Sequence, residues 1–526
     1  MRHREQKYKI GIDIGGTNTD IALIDSHENI VAFKKTMTTP EIHEGIKTVL
    51  NYILNDSKVH TDEIAGIFLG TTQIANAIHQ RDDLYRVGVI RIAGHHPQSI
   101  PSCYDWPTNL KKTVVGTITV DGGFECSGDP ITLMNPLQVK SAIDTLLKKK
   151  MESLAVIGVF ASLNPRQELL VKEIAQDMTK GTIPISLSHQ IGGTGFIERE
   201  NSSILNASLK RVMANVFKKL VSTCTELNLV CPIWLTQNNG SILDLARAIE
   251  YPVLTISAGP TNSFIGGTKL ARLEDAIVID IGGTSTDVGI VHKGFPRRCL
   301  NNSKIGGITL NFPIPDVYSI GMGGGSHIHI AQNKIEIGPL SCGNKTFSQS
   351  LAFGGKQLTL TDIALALGYL EIPGARLRNI NLSHKGCKAV IDEAVRKIYE
   401  LISKIGPDEF KLPIVMIGGG ASLLPRNLFD GRITIPPYAS IANAYGAALA
   451  QISATVDTVV SLEDRQPVLE KLQQQAIQSA IQKGADFKTV KITEIEILPY
   501  HYIPNKMARV IVRATGSQPI FLQRPE

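Results

Sequence analysis

The sequence lacks the features that mark several large classes of protein. Its 526 residues include only seven cysteines, which are scattered and never spaced as C-x-x-C. This distribution argues against a disulfide framework and against a cysteine-rich metal site, and it suits a reducing compartment. No apolar run approaches the roughly 20 residues that cross a bilayer, and residues 154–163, the best candidate, reach about half that length.

The sequence also lacks a long basic run. The formal net charge is +6, and the densest basic cluster, residues 148–150, is typical of the solvated end of a helix. The polar N-terminal segment predicts no signal peptide. We therefore expect a cytoplasmic protein with neither a nucleic acid nor a membrane as partner. Its length predicts two or more domains.

What the sequence does contain is a nine-residue pattern written twice. Residues 12–20 read Ile-Asp-Ile-Gly-Gly-Thr-Asn-Thr-Asp, and residues 279–287 differ only by a serine at the seventh position. Because β-type residues flank both copies, each predicts a β-hairpin with a glycine turn. One copy alone is also typical of an ordinary hairpin turn. Two copies half a chain apart indicate two hairpins that hold the phosphates of one nucleotide.

The residue types of the repeat suit ATP and Mg²⁺. Glycines let the backbone turn and present N–H groups to an anion, and hydroxyl side chains add donors. A carboxylate next to phosphate favours a bound Mg²⁺. The predicted catalytic and metal-binding aspartates are Asp13 and Asp280. The predicted nucleotide-binding residues of the two copies are Gly15, Gly16, Thr17, Asn18 and Thr19, and Gly282, Gly283, Thr284, Ser285 and Thr286.

Three further segments fit a two-lobed nucleotide-binding protein. Residues 413–421 predict a buried strand and a glycine turn that lies against the nucleoside. Residues 257–267 and 439–450 predict helices with small residues at every fourth position, so the two helices can cross closely. The nucleoside turn consists of Gly418, Gly419, Gly420 and Ala421. The two stripes consist of Gly259, Ser263 and Gly267, and of Ala442, Gly446 and Ala450. Tight helix packing without any function would leave the same stripes.

These five segments resemble, in order, the phosphate-1, connect-1, phosphate-2, adenosine and connect-2 motifs of the actin/hexokinase/heat-shock-70 superfamily. More narrowly, the sequence resembles the hydantoinase A/5-oxoprolinase family. Other matching stretches are residues 70–77, 198–203, 237–240 and 319–326. The resemblance implies an ATP-dependent hydrolase subunit that phosphorylates the carbonyl oxygen of a cyclic amide, such as a hydantoin or 5-oxoproline. A hydantoinase-B-like or other partner subunit would complete ring opening, and related members carboxylate ketones.

Two departures from the family pattern leave the substrate open. Leu69 stands where the family usually has histidine before Gly-Thr-Thr, and residues 342–350 replace a stretch rich in glycine, proline and cysteine. Thr71 and Thr72 lie in a turn after a predicted strand. We predict that they contact substrate or phosphate.

The alternation of strands and helices predicts an α/β fold. The resemblance implies two ribonuclease-H-like (actin-like ATPase) lobes around a nucleotide cleft, with a small C-terminal α+β appendage. The expected domains are residues 1–270, residues 271–450 and residues 451–526.

Three lesser features have ordinary interpretations that compete with functional ones. His327 and His329 share one side of a predicted strand, where polar strand residues are commoner than metal or substrate ligands. Arg199 and Glu200 are interpreted either as cleft-lining residues or as a surface ion pair. The histidine pair at residues 95–96, which Pro97 follows, predicts a loop.

Two other functions remain open from the sequence. Asp-Ile-Gly-Gly-Thr is also typical of sugar-type kinases, which make a stable phosphate ester. A nucleotide-driven reactivase or scaffold would instead act on a protein partner. A homo-oligomer is possible under each hypothesis.

Overall fold

The structure is a computed structural model. It describes residues 7–38, 42–80, 83–94, 99–193, 195–299, 303–312, 314–331, 334–500 and 506–518. Two expectations from the sequence lie outside this range: the helix start that Thr39-Pro40 predicts, as an N-cap and a first-turn proline, and the loop at 95–96.

The first lobe begins with the first copy of the repeat. Its opening elements are β1 (Tyr8–Ile14), β2 (Asn18–Ile24), β3 (Ile30–Met37), α1 (Ile42–Ser57), β4 (Ile64–Thr71) and α2 (Gln73–Gln80). An inserted subdomain follows, with β5 (Val87–Ile92), α3 (Thr108–Lys111), β6 (Val114–Val120), α4 (Pro136–Lys148), β7 (Ser153–Gly158), α5 (Arg166–Thr179) and β8 (Ile185–Leu187). The lobe then resumes with α6 (Phe196–Glu226), β9 (Ile233–Thr236), β10 (Ile242–Asp244), α7 (Leu245–Glu250) and α8 (Ala258–Ala271).

The second lobe begins with the second copy. Its hairpin and the segments that follow it are β11 (Ala276–Ile281), β12 (Thr286–His292), β13 (Phe295–Pro296), β14 (Arg298–Cys299), β15 (Lys304–Ile305), β16 (Ile308–Thr309), β17 (Ile314–Pro315), β18 (Val317–Ile320), β19 (Ser326–Ala331) and β20 (Lys334–Ser341). The lobe ends with α9 (Thr346–Gln349), α10 (Leu360–Ala366), α11 (His384–Ser403), β21 (Ile414–Ile417), β22 (Ile433–Thr434) and α12 (Ala442–Leu449). The appendage contains β23 (Ile452–Ser461), α13 (Arg465–Gln482), β24 (Lys491–Pro499) and β25 (Met507–Gly516).

The two lobes share one sheet topology. The first sheet has the order β10-β9-β4-β1-β2-β3, and the second has the order β13-β12-β11-β21-β22 with β18 also paired to β12. In both sheets the repeat forms an antiparallel hairpin whose first strand pairs in parallel with a later strand, β4 or β21. This confirms both predicted hairpins and the predicted α/β fold of two actin-like lobes.

Separate apolar cores stabilise the lobes, the inserted subdomain and the appendage. The inserted subdomain has its own parallel sheet, in the order β6-β5-β7-β8. The sequence analysis did not foresee this sheet, because the pairing partners of its strands are not encoded locally. In the described part of the chain, no helix combines the length and the apolar character needed to span a membrane.

Helices α8 and α12 cross in close contact between the lobes. A Cβ atom on Gly446 would overlap the carbonyl oxygen of Asn262, and one on Gly266 would overlap that of Ala442. The predicted close crossing is therefore confirmed, but the contacting stripe of α8 contains Asn262 and Gly266. Of the predicted stripe on α8, Gly267 faces Ile417 and Gly259 faces Thr72 instead.

The crossing exchanges the two helices between the lobes. Helix α8 packs mainly on β11, β12 and β21 of the second sheet, and α12 packs on β1, β2 and β4 of the first. Each helix therefore carries side chains to the hairpin of the opposite lobe.

Candidate functional site

The two hairpins face one another across a single cleft. One cavity of about 160 Å³ and a neighbouring one of about 400 Å³ share residues from both hairpins, among them Thr17, Gly282 and Gly283. A Cβ atom on Gly283 would lie 3.0 Å from Cγ2 of Thr17, so the turns almost touch. The sequence-predicted residues that line the cleft are Asp13, Gly15, Gly16, Thr17, Asn18, Asp280, Gly282, Gly283, Thr284, Ser285, Gly418, Gly419 and Gly420.

The two turns have the same backbone geometry. The N–H of Gly15 donates to the carbonyl of Asn18 at 2.9 Å, and Gly282 donates to Ser285 at the same distance. None of the four repeat glycines has a positive φ. The role of these glycines is therefore to leave space, so that another group can approach the backbone of the turn closely. Gly418, in contrast, has φ +88°, and a Cβ there would overlap Oδ1 of Asp280.

Two buried carboxylates lie opposite each other in the first hairpin. Asp13 and Asp20 are cross-strand partners and are 4% and 1% exposed. The amide of Asn443, on α12, donates to both, at 2.9 Å and 2.8 Å. The Lys35 ammonium contacts both oxygens of Asp20 at 2.8 Å and donates to the carbonyl of Ser440 at 3.0 Å.

Burial leaves Asp13 with an incompletely satisfied carboxylate. Desolvation, reinforced by the charge of Asp20, raises the pKa of Asp13 to about 7. Its Oδ1 atom is buried and has no hydrogen-bond partner among the described residues. Burial also raises the pKa of Asp20, although Lys35 and Asn443 oppose the shift. A carboxylate oxygen left bare in this way suits a bound cation.

The second hairpin carries the same aspartate pair with weaker partners. Asp280 and Asp287 are cross-strand neighbours. Burial raises the pKa of Asp280, against a hydrogen bond from Ser263 on α8. Burial likewise raises the pKa of Asp287 to about 6, against a hydrogen bond from the Ser319 hydroxyl. Among the described residues that line the cleft, Lys35 is the sole cationic side chain. The cleft therefore has an excess of carboxylate over cation.

A second glycine-rich loop supports the turn of the second hairpin. Gly324 and Gly325 donate to the carbonyls of Gly282 and Gly283, at 3.0 Å and 2.8 Å. A Cβ on Gly323 would lie 2.6 Å from the Gly282 oxygen. These bonds engage the carbonyl groups of the two turn glycines, Gly282 and Gly283, and hold the turn in one conformation.

His327 follows this loop and contacts a cysteine that the sequence analysis did not pair with it. Sγ of Cys342 lies 3.4 Å from Nε2 of His327, whereas the His329 ring centroid lies 6.5 Å from that of His327. Within the described ranges, no group of three or more His, Cys, Asp or Glu side chains is placed to hold a metal.

Several predicted site residues lie outside the cleft lining. The Thr19 and Thr286 hydroxyls are buried against Thr38 and the Met322 carbonyl, at 3.2 Å and 2.6 Å. The expectation that they face phosphate does not match this geometry, because alternate residues of a strand point to opposite faces. Three other predicted residues that do not line the two cavities are Thr71, Thr72 and Ala421.

Thr71 is 1% exposed, and the Thr72 hydroxyl donates to the carbonyl of Ile14 at 3.0 Å. These threonines support the first hairpin from the side that faces away from the cleft. Leu69 is fully buried in β4 and also lies outside the cleft. In contrast, the stretch that departs from the family pattern lines the larger cavity, through Gly343, Asn344, Thr346 and Phe347.

The cleft residues that the sequence analysis did not assign to the site include Asp20, Lys35, Ser263 and Asn443. The sequence did contain a signal for Asp20. An aspartate ends both copies of the repeat, and Asp20 lies two positions from Asn18, on the same strand face. Lys35 and Asn443 carried none, since their positions follow from the register of β3 and the packing of α12.

Both interpretations of Arg199 and Glu200 were wrong. Both side chains are fully buried. Glu200 forms a two-bond ion pair with Arg91 of the inserted subdomain, at 2.6 Å for each bond. These residues join α6 to the inserted subdomain, away from the cleft.

The fold and the facing hairpins define a two-lobed, actin-like protein. A sequence profile of the hydantoinase/oxoprolinase N-terminal region matches residues 9–179, and the hydantoinase/oxoprolinase profile matches residues 199–373. The chain belongs to the hydantoinase/oxoprolinase family.

Relatives of known activity include subunits of larger enzymes. The chain is 25% identical to caprolactamase subunit alpha of Pseudomonas jessenii over 91% of its own length and 76% of that protein. It is 24% identical to the acetophenone carboxylase gamma subunit of Aromatoleum aromaticum, covering 69% of this chain and 53% of the relative. It is 23% identical to 5-oxoprolinase 1 of Arabidopsis thaliana, covering 85% and 42%.

Two solved structures share the fold over nearly the whole chain. The ATP-dependent caprolactamase of Pseudomonas jessenii superposes with a TM-score of 0.75 at 18% identity, covering 98% of this chain and 88% of that one. Nucleotide-free acetone carboxylase gives a TM-score of 0.71 at 17% identity with the same coverage.

Proposed function

We propose that the chain is an ATP-dependent hydrolase subunit that activates a cyclic amide, such as a hydantoin, 5-oxoproline or a related lactam. The observation that carries this proposal is the pair of nearly identical hairpins that face one cavity from opposite lobes. The relatives support the ligand and substrate class, since they include a caprolactamase and a 5-oxoprolinase.

Phosphoryl transfer in this cleft would depend on positioning and charge neutralisation. The backbone N–H groups of the glycine turns and the hydroxyls of Thr17 and Thr284 would bind the β- and γ-phosphates of ATP. The amide carbonyl oxygen attacks the γ-phosphorus while the bond to the β-phosphate oxygen breaks, which releases ADP. The product of this step is an O-phosphorylated amide whose carbon is open to attack by water.

Asp13 and Asp280 would hold Mg²⁺, directly or through its waters. The bare Oδ1 of Asp13 and the excess of carboxylates in the cleft fit a divalent cation. When bound, Mg²⁺ neutralises phosphate charge and orients the nucleotide. Lys35 lies at the junction of both cavities and would donate to a phosphate oxygen. Gly418, Gly419 and Gly420 would lie against the nucleoside.

Ring opening would need a partner subunit of the hydantoinase-B type. Several relatives are named as subunits: alpha in caprolactamase, gamma in acetophenone carboxylase and beta in acetone carboxylase. The free state of all seven cysteines supports a reducing, cytoplasmic location.

Ketone carboxylation is the second candidate, because two of these relatives are carboxylase subunits. A ketone enolate oxygen would then replace the amide oxygen as the nucleophile. The stretch that lines the larger cavity and departs from the family pattern, residues 342–350, is where the two substrates would be distinguished.

ADP release by the purified chain tests the proposal. The panel contains lactams, hydantoins, ketones with bicarbonate, and sugars, each with and without the protein encoded next to it. We expect a cyclic amide to stimulate ADP release. Stimulation by a ketone only, by a sugar with formation of a stable phosphate ester, or by a protein partner only would replace the proposal with the carboxylase, kinase or scaffold alternative.

A further inference from the structure

The inserted subdomain has an open parallel sheet with a topological switch point. Strand β5 pairs with β6 on one side and with β7 on the other, so the chain reverses its direction of travel across the sheet between β6 and β7. In open α/β sheets, ligands bind at the carboxyl ends of the strands beside such a point. Here the switch point lies between the carboxyl ends of β5 and β7, at Ile92 and Gly158, and the residues after β8, which pairs in parallel with β7, continue the same edge of the sheet.

A histidine and a buried glutamate meet at this edge. Nδ1 of His189 lies 2.6 Å from Oε2 of Glu168, a side chain with no exposed surface. The same carboxylate accepts from the backbone N–H groups of Gly158 and His189, at 2.8 Å and 3.1 Å, and from the Ser188 hydroxyl at 2.5 Å. All its acceptor positions are engaged. In the neutral ring this arrangement places the proton on Nδ1 and leaves Nε2 as an acceptor.

A buried arginine holds this pair in place. Nε of Arg199 donates to the Ser188 hydroxyl at 2.9 Å, and its other nitrogens donate to the carbonyls of Gly193 and Gly158. Burial lowers the pKa of Arg199, and the charge of Glu168 opposes this shift. The histidine is thus oriented by a carboxylate that is itself fixed, which is an arrangement that proteins use to prepare an imidazole for a ligand.

His189 opens into a large polar cavity. The cavity has a volume of about 820 Å³, which is within the range of small-molecule sites. Its lining comes from the inserted subdomain, from the Gly192–Gly193 loop and Glu198, and from the appendage with Asp457 and Arg509. Within the described ranges, Nε2 of His189 has no hydrogen-bond partner. None of the lining residues belongs to the nucleotide cleft.

We propose that this cavity is a second small-molecule site, in which Nε2 of His189 accepts an N–H hydrogen from a small polar ligand. The class of ligand rests on the proposed function: either a cyclic amide or the amino acid that its ring opening gives. Both present an N–H donor and an oxygen acceptor, which are adjacent in the cyclic amide and lie at opposite ends of the chain in 4-aminobutyrate and 6-aminohexanoate. The Glu198 carboxylate suits an ammonium, and the Arg509 guanidinium, paired with Asp457 at 2.8 Å and 2.6 Å, suits a carboxylate or carbonyl oxygen.

Calorimetric titration with matched pairs of ligands tests the site. The pairs are 2-pyrrolidinone with 4-aminobutyrate, caprolactam with 6-aminohexanoate, and 5-oxoproline with glutamate. His189→Asn keeps an N–H for Glu168, and its shorter side chain places no acceptor where Nε2 lies. Thr458→Phe narrows the cavity from the appendage side. His292→Asn is the matched control, because His292 also pairs with a carboxylate, Asp275, at 3.1 Å but does not line the cavity.

We expect the wild type and His292→Asn to bind the same member of a pair with equal affinity. His189→Asn and Thr458→Phe should bind that ligand at least about tenfold more weakly. Both cavity variants should bind fluorescent ATP as the wild type does. The member that binds shows whether the site holds the amide or the amino acid. Equal binding by His189→Asn and wild type, or no binding of any ligand by wild type, overturns the site. If the binding pattern holds while no cyclic amide stimulates ADP release, the site stands and the proposed function fails.

Discussion

The two hairpins share eight of nine residues, yet they lie in different electrostatic surroundings. In the first, Asp13 and Asp20 are bridged by the Asn443 amide, and Lys35 pairs with Asp20. In the second, the hydrogen-bond partners of Asp280 and Asp287 within the described part of the chain are hydroxyls, and Lys35 acts on Asp280 through its charge alone. The same local sequence thus makes the same turn, while packing against other elements decides the charge that each turn carries.

This difference assigns different roles to the two copies. Under the proposed function both hairpins hold the cation, through Asp13 and Asp280, and the first, which carries the ammonium and the bare carboxylate oxygen, would also hold the transferred phosphoryl group. The turn of the second is held by backbone hydrogen bonds from the glycine-rich loop, so it would act as the fixed wall of the clamp. Four predictions test this division.

The largest effect is expected from the leading aspartates. Asp13→Asn and Asp280→Asn should each lower ATP turnover by about 10²- to 10³-fold, because each removes a carboxylate that would hold the Mg²⁺ that neutralises the phosphate charge. Steady-state ADP release measures the effect, and circular dichroism checks the fold. Wild-type turnover in either variant would show that its hairpin does not share the cation.

Removing the ammonium should affect catalysis less. Lys35→Met should lower turnover by about ten- to a hundredfold, the value of a hydrogen bond to a charged group, and Lys35→Arg should retain part of the activity. Lys34→Met is the matched control, since Lys34 lies over the Tyr52 ring, outside the cleft. Equal turnover in Lys35→Met and Lys34→Met would remove the proposed distinction between the hairpins.

The raised pKa values predict a pH dependence of stability. The folded state binds a proton at Asp13 up to a pH of about 7 and at Asp287 up to about 6, whereas the unfolded chain releases it near 3.8. The free energy of unfolding of metal-free protein should therefore fall as the pH rises through these windows, by at most about 1.4 kcal/mol per pH unit for each group.

Urea unfolding in EDTA between pH 4.5 and 8 measures this slope. Asp13→Asn should flatten it up to about pH 7, and Asp287→Asn only up to about pH 6. Identical slopes in wild type and Asp13→Asn would contradict the burial of an uncompensated charge in the first hairpin.

The smallest effect concerns the space between the turns. Gly283→Ala would place its methyl group 3.0 Å from Thr17, whereas nothing lies within 4 Å of a methyl group at Gly16. We expect Gly283→Ala to raise the KM for ATP about fivefold, since overpacking by one methyl group costs about 1 kcal/mol or more. Gly16→Ala should stay within about twofold of wild type. An equal effect of the two variants would show that the turns do not meet at Gly283.

Much of the fold could be predicted from the sequence where the signal is local. Alternating apolar residues around a glycine pair encode each hairpin, and small residues at helical spacing encode the crossing of α8 and α12. The stripe on α8 was misplaced by one position because Gly266 and Gly267 are adjacent, and periodicity does not decide which of two small neighbours faces the partner.

The candidate site was predictable only in part. The glycines, Thr17 and the leading aspartates belong to the repeat and line the cleft, but the turned-away hydroxyls of Thr19 and Thr286 required knowledge of which strand face is buried. The roles of these residues in binding and catalysis stay predictions. Arg199 was misjudged because a charged residue is rarely fully buried, and the bonds that permit it come from distant loops.

By itself the sequence determined the two hairpins, their glycine turns and the family to which the chain belongs, because these depend on residues that are neighbours in the chain. Only the tertiary structure decided which hairpin receives the ammonium and the amide. Lys35 reaches Asp20 across 15 positions through strand register, and Asn443 reaches Asp13 across 430 through helix exchange. The same kind of long-range contact forms the second cavity, which is lined by the appendage and by a histidine held by a carboxylate 21 positions away.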